Sequence, residues 1–376
     1  MESGRDRARH DNVGRLTYIG KEMTRSMEFT RRETVSYGAY GWAVLIVVTA
    51  VVAVSTALIL WAHAPVGQAY RLLFDGAFGS RFAITETLTR ATPLIFTGLA
   101  VAVAFRARFY NIGIEGQLYL GALGAVAVGT GAIDASPWLL WPLMLFAAAA
   151  AGALLVVGPA IAKISFAVDE VVSTLLLNFV ALLFVSMMLE GPMKDPSAMG
   201  WPQSYAVLDE LRFPRLLEHT RVHAGLLLGM AIAVAIRVIV TRTLFGYEVN
   251  AVGANVAAAR FAGIPTRAVL LKTALLSGGI AGLGGASEVI GRSGYLTLDM
   301  ATGYGFVGIV IAMLSQLDAI AVIFVSIAAA ALMVGGDSMS RVVGVPTYMT
   351  DVVVAVALLS VLPAALIIRY RVSFNR

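Results

Sequence analysis

The feature that most constrains this chain is a series of long apolar runs that recurs from about residue 42 onward. Each run has roughly 20 residues, the length that an α-helix needs to cross a bilayer of about 30 Å. The runs lack the strict alternation of apolar and polar residues that a membrane β-barrel requires. The 376 residues are 59% hydrophobic and 14% charged, whereas a soluble domain has about half apolar and a quarter charged residues. We therefore predict an all-α, polytopic helical membrane protein.

The apolar runs accommodate about ten transmembrane helices, within a range of eight to ten. The predicted spans are near residues 42–63, 91–105, 110–132, 138–162, 170–189, 222–241, 268–290, 304–316, 318–335 and 347–368. Residues 304–316 form the shortest segment, which could re-enter the membrane instead of crossing it. The predicted organisation is a basic segment at 1–41, a transmembrane domain at 42–368 and a tail at 369–376.

The distribution of Lys and Arg residues predicts the orientation, because these residues mark cytoplasmic loops. The N-terminal segment carries many of them, and the tail RYRVSFNR carries three arginines. Both termini are therefore predicted to be cytoplasmic. The same count places the loop 242–267 inside, and it places the loops near Asp134 and at 190–221 outside.

Several kinds of chemistry lack the residues that they would need. The chain has no cysteine and four scattered histidines, so neither thiol chemistry nor a metal site is predicted. The segment LSGGI at Leu276 resembles the signature of ATP-binding-cassette ATPases, but it lies among small residues of an apolar helix, where close packing explains it better. The sequence has no G-x-x-x-x-G-K-[ST] phosphate loop, the pattern that cradles ATP phosphates. We predict no catalytic residue, no cofactor and no nucleic-acid binding in this chain.

One polar stretch, FYNIGIEGQLYLG from Phe109, stands at the head of an apolar run. We predict that Asn111 caps the helix and that Glu115 lies in its first turns, where the helix dipole favours a carboxylate. Arg106 and Arg108 are near enough in sequence to pair with Glu115. Glu115 is either a structural anchor at the start of the helix or a residue that contacts substrate, and the sequence leaves both interpretations open.

A second polar pattern follows one face of the predicted helix in DEVVSTLLLNFVALLF. Glu170, Thr174 and Asn178 recur every four residues, a spacing that places them on one side of a helix. Such a face in a membrane helix points toward protein or water. It serves either interhelical hydrogen bonds or a pathway wall, and for Glu170 we favour the structural interpretation.

A third segment is the loop 242–267, which is too polar to cross the membrane and has the signals of two short helices. Gly253 can end the first helix, and Asn255 can cap the second one. Gly263 suits the position after that second helix, and Pro265 follows it. Two short helices with small residues suit docking to a partner, although a plain structured loop remains the alternative.

The polar segments together resemble a known family. The sequences FYNIGIEGQLYLGA, DEVVSTLLLNFVA, TLFGYEVNAVGANVAAARFAGI and LSGGIAGLGGASEVIG occur in this order. The set resembles the permease subunits of bacterial ABC importers in the branched-chain amino acid, ribose and nucleoside group, over about residues 40–368. NIGIEGQ, EVVSTLLLN and GPMKD are most similar to the larger permease of nucleoside and simple-sugar importers. The resemblance implies a type II importer fold.

The resemblance also implies roles for residues and partners. The loop at 242–267 would be the segment that couples to the ATPase, through Gly246, Asn250, Gly253, Asn255, Ala258, Ala259 and Gly263. The translocation pathway would include Asn111, Glu115, Gln117, Thr174 and Asn178. The chain itself would not be an enzyme. It would lie in the bacterial inner membrane with a second, similar permease as a heterodimer, ATPase subunits that bind ATP and Mg²⁺, and an extracytoplasmic binding protein.

Two other functions remain open at this stage. The same machinery could import branched-chain amino acids. A stand-alone secondary transporter coupled to ions is the alternative from a different class, and its proton or sodium sites would be Glu115, Glu170 and Glu288.

Overall fold

The computed structural model describes residues 27–31, 37–131, 133–301, 303–344, 346, 348–349, 351–352, 355–356, 359–360 and 370–374. These residues belong to two compact units, of which the larger is Val54–Ala355. The smaller unit contains an antiparallel pair of strands, β1 (Met27–Arg31) and β2 (Tyr370–Phe374), in which Met27 pairs with Phe374.

Helices make up most of the described chain. In chain order they are α1 (Tyr37–Trp61), α2 (Val66–Phe78), α3 (Arg81–Arg106), α4 (Ile114–Gly129), α5 (Pro137–Phe166), α6 (Glu170–Glu190), α7 (Gly225–Arg242), α8 (Leu244–Ala254), α9 (Val256–Phe261), α10 (Thr266–Glu288), α11 (Tyr304–Leu314) and α12 (Ala319–Val343). A π-helical turn at Val289–Ser293 extends α10.

The membrane-spanning pattern confirms a polytopic helical membrane protein. Among the described residues, six helices are long and apolar enough to cross a bilayer, and a seventh span results if α1 and α2, bent by 119°, count as one. The helices α4 and α11 are apolar but shorter. Two boundaries differ from the prediction, because α2 was not predicted and α3 begins at Arg81 rather than near residue 91. The predicted span at 347–368 lies largely outside the described residues.

The glycine-rich helix α10 packs at van der Waals distance against its neighbours. A Cβ atom on Gly285 would lie 1.8 Å from the carbonyl oxygen of Leu118, and one on Gly282 would lie 2.2 Å from that of Ala148. A Cβ on Gly121 of α4 would lie 2.2 Å from the Cα of Gly282. Small residues allow this approach between membrane helices. Within the LSGGI segment, a Cβ on Gly278 would lie 2.5 Å from the carbonyl oxygen of Gly152, so this segment is part of the packing surface, as predicted.

Two non-helical segments interrupt the helical pattern. Residues 109–113 lead into α4, and the segment that starts at Gly294 leads into α11. The eleven residues of α11 extend about 16 Å, which is roughly half of the apolar thickness of a bilayer. Helix α11 is therefore too short to cross the bilayer by itself.

Helix α11 runs parallel to the second half of α3. The hydroxyl of Tyr304 accepts a hydrogen bond from Nε of Arg90 at 3.2 Å. A Cβ on Gly308 would lie 2.7 Å from Cβ of Thr97. Beyond the end of α11, the carbonyl of Leu317 accepts a hydrogen bond from Arg106 at the end of α3. These contacts place the N-terminus of α11 beside the middle of α3.

The loop between α6 and α7 lies over the end of α10 and the segment that follows it. The N–H of Ser204 donates to the carbonyl of Leu296 at 3.0 Å, and the N–H of Val207 donates to that of Gly294 at 2.8 Å. Main-chain hydrogen bonds thus hold the loop against the non-helical segment that leads to α11.

The glycine packing of α10 gives a testable prediction. Gly285→Ala should lower the free energy of unfolding by about 1–3 kcal/mol, the usual cost of overpacking, because the new methyl group meets a main-chain oxygen. Gly279→Ala is the matched control, since its Cβ would lie at an ordinary 3.5 Å from the nearest atom. Thermal unfolding in detergent should show a lower Tm for the first variant only, and equal Tm values would contradict the packing argument.

Candidate functional site

Glu115 caps the helix α11 across the interior of the protein. Its Oε1 accepts a hydrogen bond from the N–H of Gly303 at 2.7 Å, and its Oε2 accepts one from the N–H of Gly305 at 2.5 Å. The first N–H groups of a helix have no partner within that helix, and a buried main-chain N–H that lacks a partner costs free energy. The carboxylate also compensates the positive end of the helix dipole. Glu115 is only 4% exposed.

The predicted ion pair between Glu115 and an arginine is wrong. Arg106 donates instead to Asn250 and to the carbonyl of Leu317. Among the described residues, Glu115 has no ion pair with either Arg106 or Arg108. The main-chain N–H groups at the start of α11 are better partners because they lie where the carboxylate is buried.

Asn111 has a different role from the predicted N-cap, because α4 starts after Gly113. Its Oδ1 accepts hydrogen bonds from the N–H of Gly113 and from Nε2 of Gln117, each at 3.0 Å. Its Nδ2 donates to Oε1 of Gln117 and to Oγ of Ser277, each at 3.0 Å. Asn111 therefore shapes the turn before α4 and binds it to α10.

The polar face of α6 supports the same turn. Oγ1 of Thr174 accepts a hydrogen bond from the N–H of Ile112 at 3.1 Å. The side chain of Asn178 accepts one from the N–H of Gly116 at 2.8 Å and donates one to the carbonyl of Ile112 at 2.9 Å. These side chains satisfy main-chain groups that the helical pattern of α4 leaves unpaired.

Glu170 holds the first part of the non-helical segment. Its Oε1 accepts a hydrogen bond from the N–H of Tyr110 at 3.2 Å and forms an ion pair with Lys163 of α5. Lys163 also donates to the carbonyl of Arg108 at 2.9 Å. This geometry agrees with the structural interpretation of Glu170.

The five predicted pathway residues thus form one buried cluster where the starts of α4 and α11 meet. None of them is more than 4% exposed: Asn111, Glu115, Gln117, Thr174 and Asn178. In this conformation each makes hydrogen bonds within the chain, and contact with a solute stays a prediction. Sequence reasoning missed Ser277, Gly303 and Gly305, because their partners are far away along the chain.

The loop 242–267 has the predicted bent form, with two short helices joined at Asn255. Oδ1 of Asn255 accepts hydrogen bonds from the N–H groups of Ala257 at 2.9 Å and Ala258 at 3.1 Å. Gly263 adopts a φ of +82° just beyond α9, a conformation that favours glycine. The prediction of two short helices, with Asn255 as the cap of the second, is confirmed, whereas Gly253 does not end the first helix, because α8 continues through it to Ala254.

The predicted coupling residues divide into two groups. Four are exposed on the loop surface: Asn250, Asn255, Ala258 and Gly263. Gly246 and Ala259 are buried, and a Cβ on Gly253 would lie 1.9 Å from the carbonyl oxygen of Arg106. Gly253 is therefore a packing residue.

Three large apolar side chains project from the same loop, and sequence reasoning did not single them out. Leu244 is 72% exposed, Tyr247 is 65% exposed and Phe261 is 97% exposed. They define an apolar surface on α8 and α9, which we call the loop surface. Its composition is typical of a protein contact.

The acidic residues required by an ion-coupled transporter each have a separate structural partner. Glu115 binds the start of α11, Glu170 pairs with Lys163, and Glu288 binds NH1 of Arg292 at 2.5 Å. In the part of the chain that the structure describes, no group of acidic or histidine side chains could hold a metal ion. Glu115 and Glu170 thus connect different helices, whereas Glu288 pairs with a residue one turn further along its own segment.

The capping interaction predicts a specific loss of stability. Glu115→Ala should leave the N–H groups of half-buried Gly303 and buried Gly305 without partners, at a cost of about 1–3 kcal/mol for a buried group. Glu115→Gln keeps one acceptor oxygen and should cause a smaller loss. Asp134→Asn, in an exposed loop, serves as a control that removes one charge. Thermal unfolding in detergent should give the highest Tm for the control, a lower Tm for Glu115→Gln and the lowest Tm for Glu115→Ala. A Glu115→Ala variant as stable as the control would refute the capping role.

Comparison with known proteins agrees with this architecture. Residues 83–362 match the family model described as branched-chain amino acid transport system / permease component. The glucose ABC transporter permease protein of Haloferax volcanii is 38% identical over 92% of this chain and 93% of its own length. A guanosine ABC transporter permease protein of Bacillus subtilis, NupP, is 36% identical over 79% of this chain and 85% of its own. A second, NupQ, is 30% identical over 60% of this chain and 72% of its own. The chain therefore belongs to the family of branched-chain amino acid transport system permease components.

Proposed function

We propose that this chain is the permease subunit of an ATP-driven importer for a neutral, hydroxyl-rich solute, a nucleoside or a simple sugar. The choice of a neutral solute rests on the N-terminus of α11, whose N–H groups already bind a carboxylate of this chain. Interrupted membrane helices in transporters can direct such an N-terminus at an anionic substrate group. Here the carboxylate of Glu115 already takes that position. A substrate carboxylate would meet like charge, whereas a neutral solute would not.

The relatives support the same substrate class. Their names refer to glucose and guanosine, which are both neutral and rich in hydroxyl groups. Around Glu115, the polar cluster consists of amides and hydroxyls, in Asn111, Gln117, Thr174 and Asn178. Rearrangement of these groups during transport would offer hydrogen bonds without the strong attraction of a net charge. These residues remain our candidates for the pathway.

The proposed assembly contains two permeases. NupP and NupQ of Bacillus subtilis are both similar to this chain, which supports pairing with a second, related permease as a heterodimer. Cytoplasmic ATPase subunits would bind ATP and Mg²⁺, and an extracytoplasmic binding protein would deliver the solute. In this arrangement the chain is a transport subunit without its own ATPase activity, with both termini in the cytoplasm.

Transport by the reconstituted complex tests the function. Liposomes that contain both permeases and the ATPase, with the binding protein added, should accumulate labelled guanosine or glucose only when ATP is available to the ATPase. Leucine should not accumulate. An ATPase variant that cannot hydrolyse ATP is the matched control. Uptake driven by an ion gradient without ATP would establish the secondary transporter, and uptake of leucine alone would establish the amino acid importer.

We propose that the loop surface binds the ATPase subunit. The exposed side chain of Phe261 lies on α9, on the side that the charge pattern predicts to be cytoplasmic. A bent pair of helices with exposed apolar residues can fill a cleft in a soluble partner, as buried aromatic side chains do at many interfaces.

Thiol labelling tests the loop surface and the orientation together, since the native chain has no cysteine. Phe261→Cys should react with a membrane-impermeant reagent in inverted vesicles but not in intact cells, and bound ATPase subunit should protect it. Met199→Cys, at a fully exposed position in the opposite loop, should react in intact cells with or without the ATPase. Reversed labelling would contradict the orientation. Labelling of the Phe261→Cys variant that bound ATPase does not reduce would contradict the contact.

A further inference from the structure

Arg106 lies where three parts of the structure meet. It is the last residue of α3. Its NH1 donates to Oδ1 of Asn250 on α8 at 3.2 Å, and its NH2 donates to the carbonyl of Leu317 at 2.5 Å. Its own carbonyl oxygen lies against Gly253 so closely that any Cβ there would be 1.9 Å away. Arg106 thus binds the loop helix α8 through both its side chain and its main chain.

The turn that Arg106 holds has an unusual backbone. Gln316 has a φ of +51° and Leu317 a φ of +62°, and neither is a glycine, the residue that adopts such values without strain. These two left-handed residues join the end of α11 to the start of α12. A strained turn of this kind persists when surrounding contacts determine it, and the guanidinium on the Leu317 carbonyl is one such contact.

A second arginine holds the next residue of the turn. Asp318 caps α12 by accepting hydrogen bonds from the N–H groups of Ile320 at 3.0 Å and Ala321 at 3.1 Å. It also forms an ion pair with Arg237 of α7. A single extended residue, Thr243, joins α7 to α8, so the two arginines connect the turn to two helices that are adjacent in the chain.

The two ends of α11 are therefore fixed by different parts of the protein. Glu115 binds its N-terminus inside the buried polar cluster, whereas the arginines bind the turn at its other end. A displacement of α8 would pull on the turn and shift α11 along its axis. That shift would change the contacts of Glu115.

We propose that Arg106 is a positioning residue that transmits movement of the loop α8–α9 to α11, and so couples ATP hydrolysis to rearrangement of the buried polar cluster. The inference rests on the proposed ATP-driven function. According to this inference, Arg106 affects how much solute is taken up for each ATP hydrolysed. This role is distinct from a role in folding or in binding the ATPase.

The complete reconstituted complex tests this role. Arg106→Lys keeps the charge but replaces a planar fork that reaches two acceptors by a single ammonium group. Uptake per ATP hydrolysed should fall roughly fivefold or more, within the usual range of coupling between sites. The Tm of the complex and the amount of bound ATPase should stay at wild-type values.

Two further variants keep the test independent of folding. Asn250→Ala changes an exposed side chain and removes the side-chain link from Arg106 to α8 but not the main-chain contact at Gly253, so it should lower the same ratio while Arg106 still holds the turn. Arg108→Gln, at an exposed arginine of the same segment, is the matched control and should keep the wild-type ratio.

The outcomes separate this inference from the proposed function. A wild-type complex without ATP-dependent uptake would overturn both. Wild-type uptake together with an unchanged ratio in Arg106→Lys and Asn250→Ala would overturn only the role of Arg106. A parallel loss of Tm, hydrolysis and uptake in both variants would show a structural role and would overturn it as well.

Discussion

The structure depends on a carboxylate that satisfies main-chain N–H groups in the packed interior of the protein. The first N–H groups of α11 have no partner within their own helix, and the buried Glu115 supplies the missing acceptors. An unpaired carboxylate in such surroundings is costly. The carboxylate and the N–H groups would each be costly if unpaired, and their hydrogen bonds to each other remove both costs. The interrupted segment before α11 is possible for this reason.

The same requirement explains the polar residues on the neighbouring helices. The non-helical segment before α4 leaves main-chain groups without helical partners, and Thr174 and Asn178 of α6 bind them. Asn111 and Gln117 close the turn from the other side and join it to Ser277 of α10. Close approach between α4 and α10, which Gly121 and Gly282 allow, brings these groups within hydrogen-bond distance. The buried hydrogen bonds therefore depend on the close packing at the glycines, and a change in the packing would also affect the hydrogen bonds.

In our proposal, this arrangement gives the chain two connected sites. A buried cluster of neutral polar groups surrounds Glu115, and an exposed apolar surface lies on α8 and α9. Helix α11 reaches from the first site to the turn that Arg106 ties to α8. A transport subunit requires a part that can rearrange around a solute and a part that receives work from a partner. The short, separately anchored helix α11 provides a physical link between them.

The sequence by itself determined the features that depend on neighbouring residues. Apolar runs predicted a helical membrane protein, and Asn255 and Gly263 predicted the bent loop, because caps and turns act within a few residues. The polar face of α6 was visible from its spacing, but its partners were not. Glu115 and Gly303 are separated by 188 residues, and nearby arginines in the sequence suggested the wrong partner. Only the tertiary structure decided which donors meet the carboxylate, since a buried charge binds the groups that the packing of the helices brings to it.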